Sequence, residues 1–322
     1  MRKIVAIGES VLDTLFSGGQ PVKSFVGGRV TNAAASLAMA GVPCSMVSEC
    51  TTDSVGDIII NFLTSHGVDV SSVDRYPDGC TRLSAIFTDV TPPQIVNYGA
   101  YPDERFDVVW PRINEDDIVL MGSLYAVDLP QRSRLFDLLK HAMERKATIV
   151  YLPGLQHGIQ FRITHVMPHL LENFELSQLV IATRHDLDTI FPGETSEECY
   201  QRHIRYYDNT FVFIDDNRCE TVYCGDRSFK MTNREVADGK VDLFGWQSGL
   251  TAGIIFQLLV RGVLHHQLGD LDAATWQSIM DEAHRWAMSA AGNEDHCIGQ
   301  ELAAQCGEAW RSCASANEQE QS

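Results

Sequence analysis

Short β-branched and aliphatic runs alternate with longer stretches of helical period along most of this chain. That rhythm limits the folds open to it more than any other feature. Runs of four or five apolar residues suit buried strands, and helical stretches of a dozen residues between them are the crossovers that parallel strands require. Strands are expected at 3–7, 44–48, 83–88, 95–98, 118–121, 148–152, 179–182, 211–214 and 221–224. Helices are expected at 32–40, 55–66, 131–146, 249–261, 275–291 and 301–315, with Gly41 and Gly67 closing the first two. This order describes stacked βα units around a largely parallel sheet. The segments 13–26 and 83–108 do not fit the rhythm, and they read as a small antiparallel sheet inserted as a lid over one end of the main sheet. With no internal repeat or linker in between, one α/β domain is expected over 1–315, followed by a polar, disordered tail at 316–322.

Charge limits what such a domain binds. The 322 residues include 25 Lys+Arg and 43 Asp+Glu, a formal net charge of −18. Nucleic acid and anionic lipid both call for a positive surface, so neither is an expected partner. The longest apolar stretch, 249–260, contains Gln257 and falls short of the roughly 20 residues that a membrane span needs. The basic start meets Glu9 before its apolar run reaches signal-peptide length, which makes the cytoplasm the expected compartment. Nine cysteines without C-x-x-C spacing read as reduced thiols. His157, His165, His169 and the His265-His266 pair lack thiolate or carboxylate partners at ligand spacing, so no metal site is expected.

Two glycine-bearing segments stand out. Gly27-Gly28-Arg29-Val30-Thr31-Asn32-Ala33-Ala34 leads into an Ala-rich helix. Paired glycines let backbone approach a ligand, and a helix start offers unpaired N–H groups. Asn32 then either hydrogen-bonds a hydroxyl-rich ligand or simply caps the helix. The second segment runs from Val241 to Gly253 and also precedes an apolar helix. Alone, it reads as a buried helix with glycines for close packing.

Together these segments resemble the ribokinase-like sugar kinases, the PfkB carbohydrate kinase family. Gly8-Glu9 and Asp13 follow the first strand, where the family places a carboxylate facing sugar hydroxyls. Gly27-Gly28 with Asn32 matches its G-G-x-x-x-N-x-A substrate segment, Asp53 and Gly56 its D-x-x-G step, and Gly122-Ser123-Leu124 a further hallmark. The resemblance implies a three-layer α/β/α fold with a mostly parallel central sheet and a small β lid. It also implies transfer of phosphate from ATP, with magnesium, to a sugar or nucleoside-like substrate, and a homodimer clasped through the lid. Asp13, Gly27, Gly28 and Asn32 would hold the substrate.

The nucleotide side departs from the pattern. The family signature D-T-x-G-A-G-D-x-F-x-A-G corresponds to Asp242 through Gly253, keeping Asp242, Gly245, Ala252 and Gly253. Gln247 stands where an anion-hole glycine belongs, and Ser248, in the first turn of a helix, where the catalytic aspartate belongs. Serine is too weakly basic to take the sugar proton, so a general-base contribution of roughly 10²–10⁴-fold is lost. The family's D-P-N-x-R becomes Leu152-Pro153-Gly154-Leu155-Gln156, and its N-x-x-E becomes Thr183-Arg184-His185-Asp186. Its glycine-rich nucleotide loop falls near 214–219, where Asp215 and Asp216 would repel ATP phosphates.

The resemblance therefore points to an anion hole at Gly245, Trp246, Gln247 and Gly249, with Asp186 left to help with magnesium and phosphate. The expected function is a carbohydrate kinase homologue impaired at Ser248. The alternatives are an active sugar or nucleoside kinase using another base such as Asp242, and a non-catalytic sugar-binding or regulatory protein.

Overall fold

The first apolar run becomes a strand at the heart of a large sheet. Strand β1 (Ile4–Ile7) sends Ile4 and Ala6 into one apolar core and Val5 and Ile7 into another. A strand buried on both faces in this way needs helices on both sides. The computed structural model describes residues 2–91, 93–102, 108–155, 163–232 and 243–320.

After β1 come β2 (Val11–Ser17), β3 (Gln20–Gly27), α1 (Arg29–Met39), β4 (Cys44–Thr51), α2 (Ser54–Ser65), β5 (Asp69–Tyr76), β6 (Cys80–Phe87) and β7 (Gln94–Ala100). The chain continues through β8 (Ile118–Gly122), α3 (Leu129–Glu144), β9 (Thr148–Leu152), α4 (Ile163–Leu176), β10 (Leu179–Thr183), α5 (Arg184–Ile190) and α6 (Ser196–Cys199). Its last elements are β11 (Thr210–Ile214), β12 (Glu220–Cys224), β13 (Arg227–Lys230), α7 (Leu243–Val260), α8 (Ala273–Ala291) and α9 (Gln300–Glu320).

Among the described residues, nine strands form the main sheet in the order β13-β12-β11-β10-β9-β8-β1-β4-β5. Pairing is parallel from β11 to β5, while β12 and β13 add an antiparallel edge. Helices α1, α2, α7, α8 and α9 contribute to the core on one face, and α3, α4 and α5 to the core on the other. This is the three-layer α/β/α arrangement with a mostly parallel sheet.

The lid is a second sheet in the order β3-β2-β6-β7. It was expected to be antiparallel, yet β2 and β6 pair in parallel between two antiparallel hairpins. The connections explain the difference. Both β2 and β6 enter the lid from the carboxyl ends of parallel main-sheet strands, β1 and β5, and so run the same way. Strand β5 and helix α4 lie where no element was expected. Polar residues interrupt the apolar pattern of β5, and Pro168 lies inside α4.

Two helices start earlier than their apolar pattern suggests. Helix α1 begins at Arg29 rather than 32, with Gly28 as its N-cap at φ 114°. Helix α7 begins at Leu243 rather than 249 and is apolar on all faces, as a helix surrounded by core must be. Its close approach to α8 depends on glycine. A Cβ on Gly245, Gly249 or Gly253 would lie 2.5 Å from Ala290 O, 2.6 Å from Trp286 O and 2.6 Å from Ala283 Cα respectively.

Candidate functional site

A cavity of about 390 Å³ opens beyond the carboxyl ends of the parallel strands, beneath the lid. Strand ends supply Glu9, Ser123, Leu155, Thr183 and Asp216, while the lid supplies Asp13 and Phe25. Ligand crevices of open α/β sheets form in this position because the strand ends leave backbone and loop side chains converging there.

The sugar-side candidates come together at one end. Asp13 sits on β2 opposite Phe25 of β3 and Ser84 of β6, and its side chain is buried. Burial pushes its pKa up to about 6; a hydrogen bond from Ser84 and the charge of His296 pull it down, and Glu9 pushes it further up. Glu9 is also buried, and burial raises its pKa against hydrogen bonds that include Tyr125 N–H to Oε2 at 3.1 Å.

Gly28 caps α1, and a Cβ there would lie 2.3 Å from Glu9 O. The capping role left open for Asn32 is therefore filled by backbone. Asn32 is the fourth residue of α1, no side chain caps that helix, and Asn32 N–H donates to Gly28 O at 2.9 Å. The Asn32 side chain lines the cavity at 3% exposure, and its Oδ1 has no hydrogen-bond partner among the described residues. A buried amide oxygen without a donor is what a ligand hydroxyl would satisfy.

The other end looks different. Trp246, Gln247 and Ser248 line the cavity, whereas Gly245 and Gly249 lie against α8 as packing glycines. Because α7 has already begun at Leu243, Gln247 and Ser248 occupy its second turn, where helical N–H groups bond back to the preceding turn. Ser248 Oγ donates to Phe244 O at 3.1 Å. Arg29 Nη2 donates to Gln247 Oε1 at 2.7 Å, and Arg29 Nη1 lies 3.7 Å from Asp186 Oδ2.

Asp186 is fully buried and does not line the cavity. Its Oδ1 accepts from Leu155 N at 2.8 Å, and its Oδ2 accepts from Thr183 N at 2.9 Å and Thr183 Oγ1 at 2.8 Å. Together with Thr183 it forms the capping box of α5. Both oxygens thus have structural partners, a poor starting point for a magnesium ligand. Asp242 lies outside the described residues.

The expected repulsion of phosphate by the 214–219 loop needs correction. Asp215 builds the turn, its Oδ1 accepting from Asn217 N and Cys219 N at 2.8 Å each. Arg29, Arg184 and Arg218 line the same end of the cavity, and Arg218 lies over the Trp246 ring. Three guanidinium groups beside two carboxylates do not make that end acidic.

Residues 1–213 match the model of the pfkB family carbohydrate kinases, which is most of the chain. The chain belongs to the PfkB carbohydrate kinase family. PfkB relatives include a 5-dehydro-2-deoxygluconokinase of Clostridium tetani, 25% identical over 135 residues and 39% of each chain. Another of the same name, from Clostridium perfringens, is 23% identical over 217 residues and 63% of each chain. The chain thus spans less than two thirds of either relative's length. The fructokinase of Vibrio cholerae O395, solved with fructose, ADP and calcium, superposes with a TM-score of 0.76 at 16% identity over 94% of this chain and 98% of that one. At that identity the likeness establishes the fold alone.

Residues that line this PfkB cavity without having been sequence candidates include Arg29 and Glu9, and His296 packs on the lining residue Phe25 without lining the cavity itself. Arg29 follows Gly28 inside the recognised motif, and its basic side chain next to a helix start was a legible signal. Glu9 likewise ends the first strand's apolar run. His296 had no such signal: it packs edge-on against Phe25 at 4.0 Å between ring centroids, across a great separation in sequence.

Proposed function

We propose that this chain is a PfkB-fold protein that binds a polyhydroxylated ligand, a sugar or nucleoside-like molecule, and is impaired in phosphoryl transfer. One contrast carries the reading. Asn32 Oδ1 stands unpartnered among the described residues at the sugar end, while the Ser248 hydroxyl is committed to Phe244 O at the other. Glu9, Asp13 and Asn32 offer acceptors to ligand hydroxyls in the cavity that the lid also lines.

The family implies ATP and magnesium, and the residues at the far end fit that pair poorly. Arg29 and Gln247 are bonded to each other, Asp186 is engaged as a cap, and Ser248 supplies no base. The experiment is ATP-dependent phosphorylation across a sugar and nucleoside panel, with ligand-induced thermal shifts measured alongside. Shifts with sugars and no turnover support the proposal, whereas turnover of ordinary kinase rate overturns it.

One observation favours a second reading, an active kinase using another base. Asp13, with its pKa pushed up to about 6, is basic enough to accept a hydroxyl proton near neutral pH. Loss of turnover in Asp13→Asn with the sugar-induced shift and nucleotide binding both retained supports that reading.

The remaining implications stand as proposals too: a homodimer through the lid, one domain over 1–315 with a polar tail at 316–322 that is disordered beyond the end of α9 at Glu320, and residence in the cytoplasm. Among the described residues no helix is long and apolar enough to cross a membrane. Sedimentation equilibrium tests the dimer, limited proteolysis the domain boundary, and cell fractionation the compartment.

A further inference from the structure

We propose that His66, Asp295 and Cys297 form a zinc site that ties the segment between α8 and α9 to the end of α2. Their ligand atoms, one nitrogen, one carboxylate oxygen and one sulfur, all lie within 4.8 Å of one another. His66 is the C-cap of α2, and its Nδ1 lies 2.7 Å from Phe62 O. A carbonyl oxygen only accepts, so Nδ1 carries the proton and Nε2 is left with a lone pair. That lone pair meets Asp295 Oδ2 at 3.2 Å. Two acceptors at this distance require a cation between them, either a proton or a metal ion.

Two features favour the metal. An imidazole whose second nitrogen donates to a backbone carbonyl is already oriented as a metal ligand, and the Asp295 carboxylate is oriented too, accepting Cys297 N–H on Oδ1 at 3.1 Å. The Cys297 sulfur, fully buried beside them, has no part in a simple His–Asp ion pair but completes a mixed N/O/S set. That set suits zinc rather than magnesium or calcium, which prefer oxygen alone. Asp295 is 46% exposed at its side chain, so water reaches the fourth position. Coordination releases the thiol proton, and any proton held between His66 and Asp295, to solvent.

The ligands come from distant parts of the chain, which is why cysteine and histidine spacing gave no sign of them. The site reaches the cavity from behind. His296 lies between two of the ligands and packs on Phe25, and Cys297 Sγ lies 3.8 Å from Asn32 O. Zinc would thereby immobilise the segment that presents His296 to the sugar end.

The test uses the full chain stripped with a chelator. Zinc is titrated against a chromophoric competitor, and cobalt(II) serves as a probe because its thiolate charge-transfer band reports a Co–S bond. We expect one tight equivalent, loss of the band in Cys297→Ser, and at least about tenfold weaker zinc binding in His66→Ala and Asp295→Asn. A cobalt band that persists in Cys297→Ser, or equal zinc affinity in wild type and His66→Ala, overturns the proposal in favour of a shared proton. Should Cys297→Ser fail to fold, His66→Ala at the edge of the site decides alone.

Discussion

Gly27 of β3, paired with Val11 of β2, lies diagonally across from Asp13 and so close to its side chain that a Cβ on Gly27 would lie 1.9 Å from Asp13 Oδ2. The glycine is there to make room for the carboxylate. Gly27→Ala must move either the strand or Asp13, at a cost of roughly 1–3 kcal/mol. We expect a lower melting temperature and loss of any sugar-induced shift. An alanine variant that still shows the full shift would contradict this close approach.

Asp13 makes stability depend on pH in an unusual direction. Its folded pKa is about 6 against an ordinary value of 3.8, so between those values the native state holds a proton that the unfolded chain has lost. Stability therefore falls as pH rises through that window and stays reduced above it. Asp13→Asn removes the buried charge and should stabilise the protein at pH 7.5 by on the order of 2–3 kcal/mol, while abolishing the sugar-induced shift. Chemical denaturation of both proteins at pH 5 and pH 7.5 checks this, and an unchanged difference between the two pH values counts against it.

Restoring a base at position 248 should not restore a kinase. Ser248 is buried with its hydroxyl on Phe244 O, and Gln247 is held by Arg29. Ser248→Asp places a buried carboxylate in the second turn of a packed helix and should cost roughly 1–3 kcal/mol with little gain in turnover. Ser248→Asp combined with Gln247→Gly and Arg29→Ala is the variant with a chance of activity, since the altered groups act as a unit. Activity from Ser248→Asp alone would show an intact nucleotide site.

Gly249 distinguishes packing from phosphate binding. A methyl group there would lie 2.6 Å from Trp286 O and 2.8 Å from Ala290 Cβ, so Gly249→Ala should destabilise by roughly 1–3 kcal/mol through α7 and α8. Nucleotide affinity, where present, should not change. Thermal melts and nucleotide titration of this variant separate the two roles.

Asp53 joins the lid to the main body. It caps α2 through Gly56 N–H at 2.7 Å and accepts Thr81 N–H at 2.9 Å and Thr81 Oγ1 at 2.7 Å. Burial opposes its ionisation, yet the hydrogen bonds from Thr81 and Gly56 outweigh it and hold the pKa down to about 2. The stabilisation is present above the ordinary value of 3.8 and is lost as pH falls towards 2. Asp53→Ala should cost about 0.5–2 kcal/mol at neutral pH and less in acid, read from denaturation midpoints.

The alternation of strand and helix periods, together with Gly27-Gly28 and Asn32, was enough by itself to settle the layered α/β fold and the family. Period and turn chemistry are local properties, written within a few residues of where they act. Tertiary contact decided the rest. Glycines 245 and 249 could serve an anion hole or a helix contact, and only the arrival of α8 gave them a packing role. Asp186 could hold a metal or cap a helix, and Leu155 and Thr183 claimed both its oxygens. Arg29 met Gln247, and His66 met Asp295 and Cys297, across more than 200 residues of chain. No periodicity encodes such meetings, because a side chain's partners are chosen by the packing of whole elements rather than by its neighbours in sequence.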